Sequence, residues 1–188
     1  MTDPVEECED APFLQCEQVY LRRVTPADVR GNYIEWVNDQ EITQFLEVGH
    51  FPMGTEDIVK YVEKISDDNK TLFLAIFVRD SGEHIGNIKL GPIDWVHRRA
   101  DIGILIGERE YWGQGIATES IGAVVTHAFE TLNLHKLTAG CYEDNVGSRK
   151  AFEKVGFSVE GQRPKHAHYD GAYTTLIELG LLREDFDL

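Results

Sequence analysis

The chain has 188 residues, 42% hydrophobic and 27% charged, enough for one domain with a sizeable core and too apolar for a disordered chain. Eighteen Lys and Arg stand against 33 Asp and Glu, a formal charge of −15 at pH 7. That balance argues against a nucleic-acid binder, whose affinity rests on a basic face. No stretch approaches the roughly 20 apolar residues of a membrane span. Residues 1–7 lack the basic-then-apolar order of a signal peptide. Cys8, Cys16 and Cys141 are odd in number and widely spaced, which fits neither a disulfide framework nor a zinc knuckle. A reduced, cytoplasmic protein is expected. The acidic surface serves solubility, and it could also attract a cationic substrate.

Residues 1–16 are acidic and weakly patterned and read as a tail; residues 17–188 read as a single domain. A first strand is predicted over 17–24. Thr25-Pro26 is a helix start, Thr as cap and Pro at the first helical position, with the helix running to about Asn38. A second short helix is predicted over 40–46 and a loop over 49–54. Thr55 caps a helix carrying Ile58, Val62 and Ile65 at helical spacing. Strands over 71–79 and 84–94 form a hairpin across Asp80-Ser81-Gly82-Glu83. A third strand covers 99–106, and Gly103 inside it marks a bulge or a close backbone approach. A helix over 115–132 presents Ala117, Ile121, Val124, Val125, Ala128 and Leu132 on one face. A strand over 135–142 and a helix over 148–155 follow. Two extended runs, 157–169 and 172–182, are joined by Asp170-Gly171, a hairpin dipeptide. The order predicts a mixed α/β domain around one central sheet.

The sharpest feature is the strand ending at Ile106, a glycine-bearing turn, and then a helix. A helix N-terminus offers unpaired N–H groups and positive dipole charge, and glycines let an anion approach the backbone closely. This is the chemistry of a pyrophosphate site. No Lys-Ser/Thr pair follows Gly115, so the turn is not a P-loop. Thr118 stands where a dinucleotide-binding turn has its third glycine.

Trp112-Gly113-Gln114-Gly115-Ile116-Ala117 resembles the acetyl-CoA loop of the GNAT acetyltransferases, Gln/Arg-x-x-Gly-x-Gly/Ala, with Trp112 departing at its first position. Tyr111-Trp-Gly-x-Gly-x-Ala-Thr-Glu119 is similar to the RimJ/RimL-like branch. Asn145-Val-Gly-Ser148 followed by Lys154-Val-Gly156-Phe157 resembles the family's second motif. The resemblance covers residues 17–188. It implies a GNAT fold of α/β (α+β) type, a mixed and mostly antiparallel sheet of about seven strands flanked by helices. It also implies acetyl-CoA as co-substrate, no metal, and transfer of the acetyl group to a primary amine. The chain is expected to act as a monomer or homodimer, with no membrane or nucleic-acid partner. The acceptor is either a protein N-terminal amine or a small-molecule amine.

By that resemblance, Trp112, Gly113, Gln114, Gly115, Ile116, Ala117 and Thr118 hold the pyrophosphate. Ile104, Leu105, Ile106 and Gly107 lie beside the pantetheine arm, with an N–H near Ile104 or Leu105 on the thioester carbonyl. Asn145 bonds the pantetheine arm or caps a helix. Many family members carry a Tyr seven residues after that Asn; Phe152 stands here and has no proton to give. Ser148 is then the thiolate's donor or orienter, or an N-cap. Asp101, His166 and His168 are candidates for the base that deprotonates the amine, and water is the alternative. The two histidines alternate along a predicted strand and so share a side; their spacing fits a metal pair, but no third ligand accompanies them. The acceptor pocket is expected from helices within 26–66 and the hairpin over 158–175. Phe152, and Thr174-Thr175 where the branch often has an acid after Tyr173, leave a non-catalytic acyl-CoA-binding module as the alternative.

Overall fold

The structure, a computed structural model, describes residues 11–186. Strands β1 (Leu14–Gln15) and β2 (Val19–Arg23) lead into a kinked helical run: α1 (Pro26–Asp28), a π-helical turn (Val29–Tyr33) and α2 (Ile34–Asn38). After an irregular loop come α3 (Thr55–Ser66), β3 (Leu72–Val78), β4 (His84–Leu90) and β5 (Arg99–Ile106). A 3-10 turn (Arg109–Tyr111) precedes α4 (Ile116–Glu130), then β6 (Lys136–Tyr142), α5 (Val146–Val155), β7 (Ser158–Tyr169) and β8 (Ala172–Leu182).

These strands form one sheet in the order β1-β2-β3-β4-β5-β6-β8-β7. Every neighbouring pair is antiparallel except β5 with β6. One face packs on α4 and α5 through Ile121, Val124, Val125, Ala128, Ala151 and Phe152, which meet Leu21, Ile76, Ile88 and Ile102. The other face is covered by α1–α3 through Val29, Trp36, Ile58 and Val62, which meet Ala75 and Phe77. This is the predicted mixed, mostly antiparallel sheet.

The sheet has an eighth strand because Leu14 and Gln15, expected in the tail, pair with Leu21 and Tyr20. The helix expected over 26–38 is interrupted: Gly31 takes φ −86°, ψ −134°, a conformation that its missing Cβ allows. The helix expected over 40–46 is absent. The Asp39 carboxylate accepts from the Glu41 and Ile42 amides, and the Thr43 hydroxyl donates to the Asp39 carbonyl. These local bonds compete with helix formation and leave a run of turns. Gly103 makes no bulge: β4 and β5 pair without a register shift from Gly86↔Ile106 to Leu90↔Ile102.

The feature that positions the site is a fork. β5 pairs with β6 only through Arg99–Asp101 against Lys136–Thr138. Beyond Asp101 the two strands have no mutual register, while β4 still follows β5 to Ile106 and β8 still follows β6 to Tyr142.

Candidate active site

The β4–β5 register decides which backbone groups face the fork. The Asp101 carbonyl accepts from Gly91 N–H, and Gly107 N–H donates to the Ile85 carbonyl, both at 2.8 Å. Odd-numbered residues of β5 are therefore spent on β4. Ile102, Ile104 and Ile106 turn their backbone groups the other way, into the fork. Of the two donors left open by the sequence, Ile104 has the N–H that faces the gap, and Leu105 does not. The Ile106 carbonyl is already taken: the Trp112 indole N–H donates to it at 2.9 Å. The side chains of Ile104 and Ile106 pack on the α4–α5 core, and Leu105 on the opposite one.

Gly107 has a structural reason of its own. A Cβ there would lie 2.0 Å from the Trp36 ring. Trp36 is fixed in turn by its indole N–H, which donates to Glu108 Oε1 at 3.0 Å; the Asn32 amide donates to the same oxygen.

The turn after β5 is built for close approach. Gly113 and Gly115 take φ +75° and +87°, and a Cβ on either would meet no protein atom within 4 Å. Gly115 is the N-cap of α4 and no side chain caps that end. The amides of Ile116, Ala117 and Thr118 thus lack intrahelical partners. The acid in the first turn, Glu119, does not reach back to them; its carboxylate accepts from the Gln18 amide and side chain at 2.8 and 2.9 Å. Open space, positive-φ glycines and free amides at a 15-residue helix fit a pyrophosphate.

At the second motif Asn145 is the cap: its Oδ1 accepts from Ser148 N–H at 3.1 Å. Ser148, in the first turn, donates that bond through its backbone N–H and is not itself the N-cap. Its hydroxyl makes no hydrogen bond to the protein among the described residues. Phe152 is 2% exposed and edge-on to Phe157, a core residue.

Asp101 sits at the last paired position of the fork and accepts from the Thr138 hydroxyl at 2.9 Å. Crowding by protein pushes its carboxyl above the usual range, opposed by the Thr138 bond and by Lys89. His166 and His168 lie on β7, an edge strand of the sheet. His168 is opposite Tyr173 on the β7–β8 hairpin and edge-on to its ring at 5.5 Å. The register shift between Arg163 and Ala167, with Lys165 at φ +55°, interrupts the strand just before His166. Among the described residues no bond joins either histidine to Asp101, Asn145 or Ser148.

The fold adds residues that the sequence did not single out. The Tyr142 hydroxyl donates to Glu47 at 2.9 Å, and the Tyr169 hydroxyl to Gln44 at 3.0 Å. Phe45 lies tilted on Tyr169 and edge-on to Tyr142. The loop after α2 is thereby fastened over the ends of β6 and β7. Tyr142 lies three residues before Asn145, but its partner Glu47 is 95 residues away.

A sheet forked between two parallel strands, with an uncapped helix after a glycine turn at the fork, defines an acyl-CoA-dependent transferase domain. Residues 18–158 match the acetyltransferase (GNAT) domain family, and the chain belongs to that family. It is 32% identical to the spermidine N(1)-acetyltransferase of Escherichia coli (strain K12) over 170 residues, 90% of this chain and 84% of that one. The crystal structure of spermidine N-acetyltransferase from Vibrio cholerae in complex with CoA and spermine superposes with a TM-score of 0.81 at 24% identity, covering 89% and 97% of the two chains. Mycobacterium smegmatis RimJ in complex with CoA-disulfide gives 0.79 at 21% identity, covering 90% and 84%. The protein is an N-acetyltransferase with acetyl-CoA as co-substrate and an amine as acceptor.

Proposed function

We propose that this enzyme acetylates a small cationic amine, using the fork and the glycine turn to hold acetyl-CoA. The observation that carries the acceptor reading is the loop fastened by Tyr142–Glu47 and Tyr169–Gln44 over the ends of β6 and β7, where β6 has already left β5. A protein N-terminus would need an open groove there. The motif from Tyr111 to Glu119 supports assignment to the RimJ/RimL-like branch, and we assign the protein to the cytoplasm.

Acetyl-CoA supplies the activated acetyl group as a thioester. The amides of Gly113 to Thr118 hold its pyrophosphate, with Trp112 bracing the turn against Ile106. The Ile104 N–H donates to the carbonyl oxygen, where negative charge develops during attack. Asn145 fixes the start of α5, and Ser148, free of the cap, offers its hydroxyl proton to the departing sulfur. Asp101 is the residue of the fork suited to accept a proton from the amine, directly or through water, because its carboxyl is already held above the usual range. His168, edge-on to Tyr173 and without a hydrogen bond to Asp101, Asn145 or Ser148 among the described residues, is the alternative base.

Thiol release from acetyl-CoA is the test, with putrescine, spermidine, an aminoglycoside and a peptide bearing a free N-terminus as acceptors. Faster turnover of the polyamines than of the peptide is expected; the reverse order refutes the acceptor reading. Phe152, with no proton to give, favours one other reading, a non-catalytic acyl-CoA-binding module. CoA binding without release for any amine would establish it.

A further inference from the structure

We infer that Glu47, held by Tyr142, selects a doubly charged amine by seating the acceptor's spare ammonium group beside the fork. The inference rests on the acetyltransferase reading above and adds the side chain that chooses the acceptor.

Tyr142 is the last residue of β6, on the stretch that has left β5. Strand alternation puts its side chain on the face of Thr138, the face to which Asp101 also belongs. Tyr142 is 6% exposed, so its hydroxyl is a fixed point to which the exposed Glu47 side chain is tied. The loop carrying Glu47 also places Phe45 between the rings of Tyr142 and Tyr169. The Glu47 carboxylate is therefore bonded to one member of a cluster of three aromatic rings.

The neighbouring acids differ from Glu47 in one respect. Asp39 and Glu41 both pair with Arg109, at 2.6 and 2.9 Å. Glu108 accepts two N–H groups, from Asn32 and Trp36. Glu47 has a neutral phenol as its partner and no ion pair among the described residues. Its charge is felt by that phenol, which burial first and Glu47 second push up to about 12. Tyr142 thus stays protonated and acts as a donor that orients the carboxylate.

An uncompensated carboxylate beside aromatic rings matches an alkylammonium: the oxygen takes the N–H donors, and the rings take the charge and the adjoining methylenes. An acceptor of this enzyme must present one amine without its proton in order to attack. A diamine or polyamine can do so and still keep a second, charged nitrogen for Glu47. A monoamine cannot.

The test compares putrescine with butylamine, which has the same four-carbon chain and lacks the second nitrogen. The readout is the ratio of kcat/KM for the two amines in the wild type, Glu47→Gln, Glu47→Asp and Tyr142→Phe. The wild type should prefer putrescine, and Glu47→Gln should lower the ratio about tenfold, mainly through KM for putrescine. Tyr142→Phe should lower it less, and Glu47→Asp should restore part of it. A ratio unchanged in Glu47→Gln, or a wild type that uses both amines equally, overturns the inference while leaving the acetyltransferase reading intact. No thiol release with either amine overturns the inference together with the small-cationic-amine reading, and release with the aminoglycoside or the peptide in the same assay shows that the acetyltransferase itself stands.

Discussion

The indole N–H of Trp112 donates to the carbonyl of Ile106 at 2.9 Å, so the first residue of the glycine turn closes the outer end of the fork. Ile106 is the last residue of β5 whose backbone faces the gap. Without Trp112 its carbonyl would be free, and the turn would lose its tie to the strand. This gives Trp112 a bracing role at the position where the family usually has Gln or Arg. Trp112→Phe keeps the ring and removes the donor. CoA affinity measured by calorimetry should fall by about five- to tenfold, the effect of one lost hydrogen bond, with little change in thermal midpoint because the indole is 42% exposed.

Gly115 carries a different requirement. At φ +87° any L side chain is strained, by about 1–2 kcal/mol, yet the space a Cβ would occupy is empty of protein. Gly115→Val should therefore fold with a lowered midpoint and lose CoA binding. Normal CoA affinity in the folded variant would refute the assignment of the turn. Gly122, within α4, also meets nothing, and there the helical backbone suits alanine; Gly122→Ala should raise stability by about 0.5–1 kcal/mol.

Asn145 and Ser148 separate cap from chemistry. Asn145→Ala removes the bond to Ser148 N–H and should cost about 1 kcal/mol of stability, measured by urea unfolding. Ser148→Ala leaves that bond in place, so its stability should hardly change. If its hydroxyl serves the leaving sulfur, kcat should fall by about tenfold or more with KM for acetyl-CoA nearly constant. An unchanged kcat would refute that role.

The stability of the fold should depend on pH through two buried groups under α1 and α2. Burial holds the His84 ring below its ordinary value of 6.5, where it stacks on Phe77 and lies edge-on to Trp36. Its folded form resists the proton, so stability is full above pH 6.5 and declines as pH falls below it. Asp28 works lower down. Burial would raise its carboxyl, but the bidentate Arg22 guanidinium and the Thr25 amide overcome that and hold it below 3.8. Its contribution is present above 3.8 and is lost as pH falls through the folded value. Urea midpoints between pH 8 and pH 3 should show both declines. Asp28→Asn should abolish the lower one and destabilise the fold at pH 7, since the buried Arg22 guanidinium loses the bidentate carboxylate to which it donates.

Local chemistry made much of this molecule legible before folding. Gly115 before the periodic face of Ile121, Val124 and Ala128 specified a helix with a glycine at its start, and the strand runs on either side followed from β-branched and aromatic residues. The breaks fell where local signals compete or partners are remote. The 40–46 segment has helical spacing, but Asp39 and Thr43 divert its backbone bonds. Gly31 interrupts a helix that Thr25-Pro26 correctly began. His166 and His168 alternate on one predicted strand, yet a register shift in β7 falls between Arg163 and Ala167, across His166.

The sequence by itself determined the class of enzyme, because a glycine turn entering a helix and an Asn-x-x-Ser helix start are encoded within a few residues each. It also determined that a pyrophosphate could be held there, since unpaired amides and positive φ are local properties. Only the tertiary structure decided that Ile104 and not Leu105 faces the fork, because that depends on which edge of β5 the strand β4 occupies. Only it joined Glu47 to Tyr142 and Gly107 to Trp36, residues far apart in the chain whose meeting depends on how the loop and helices lie across the sheet.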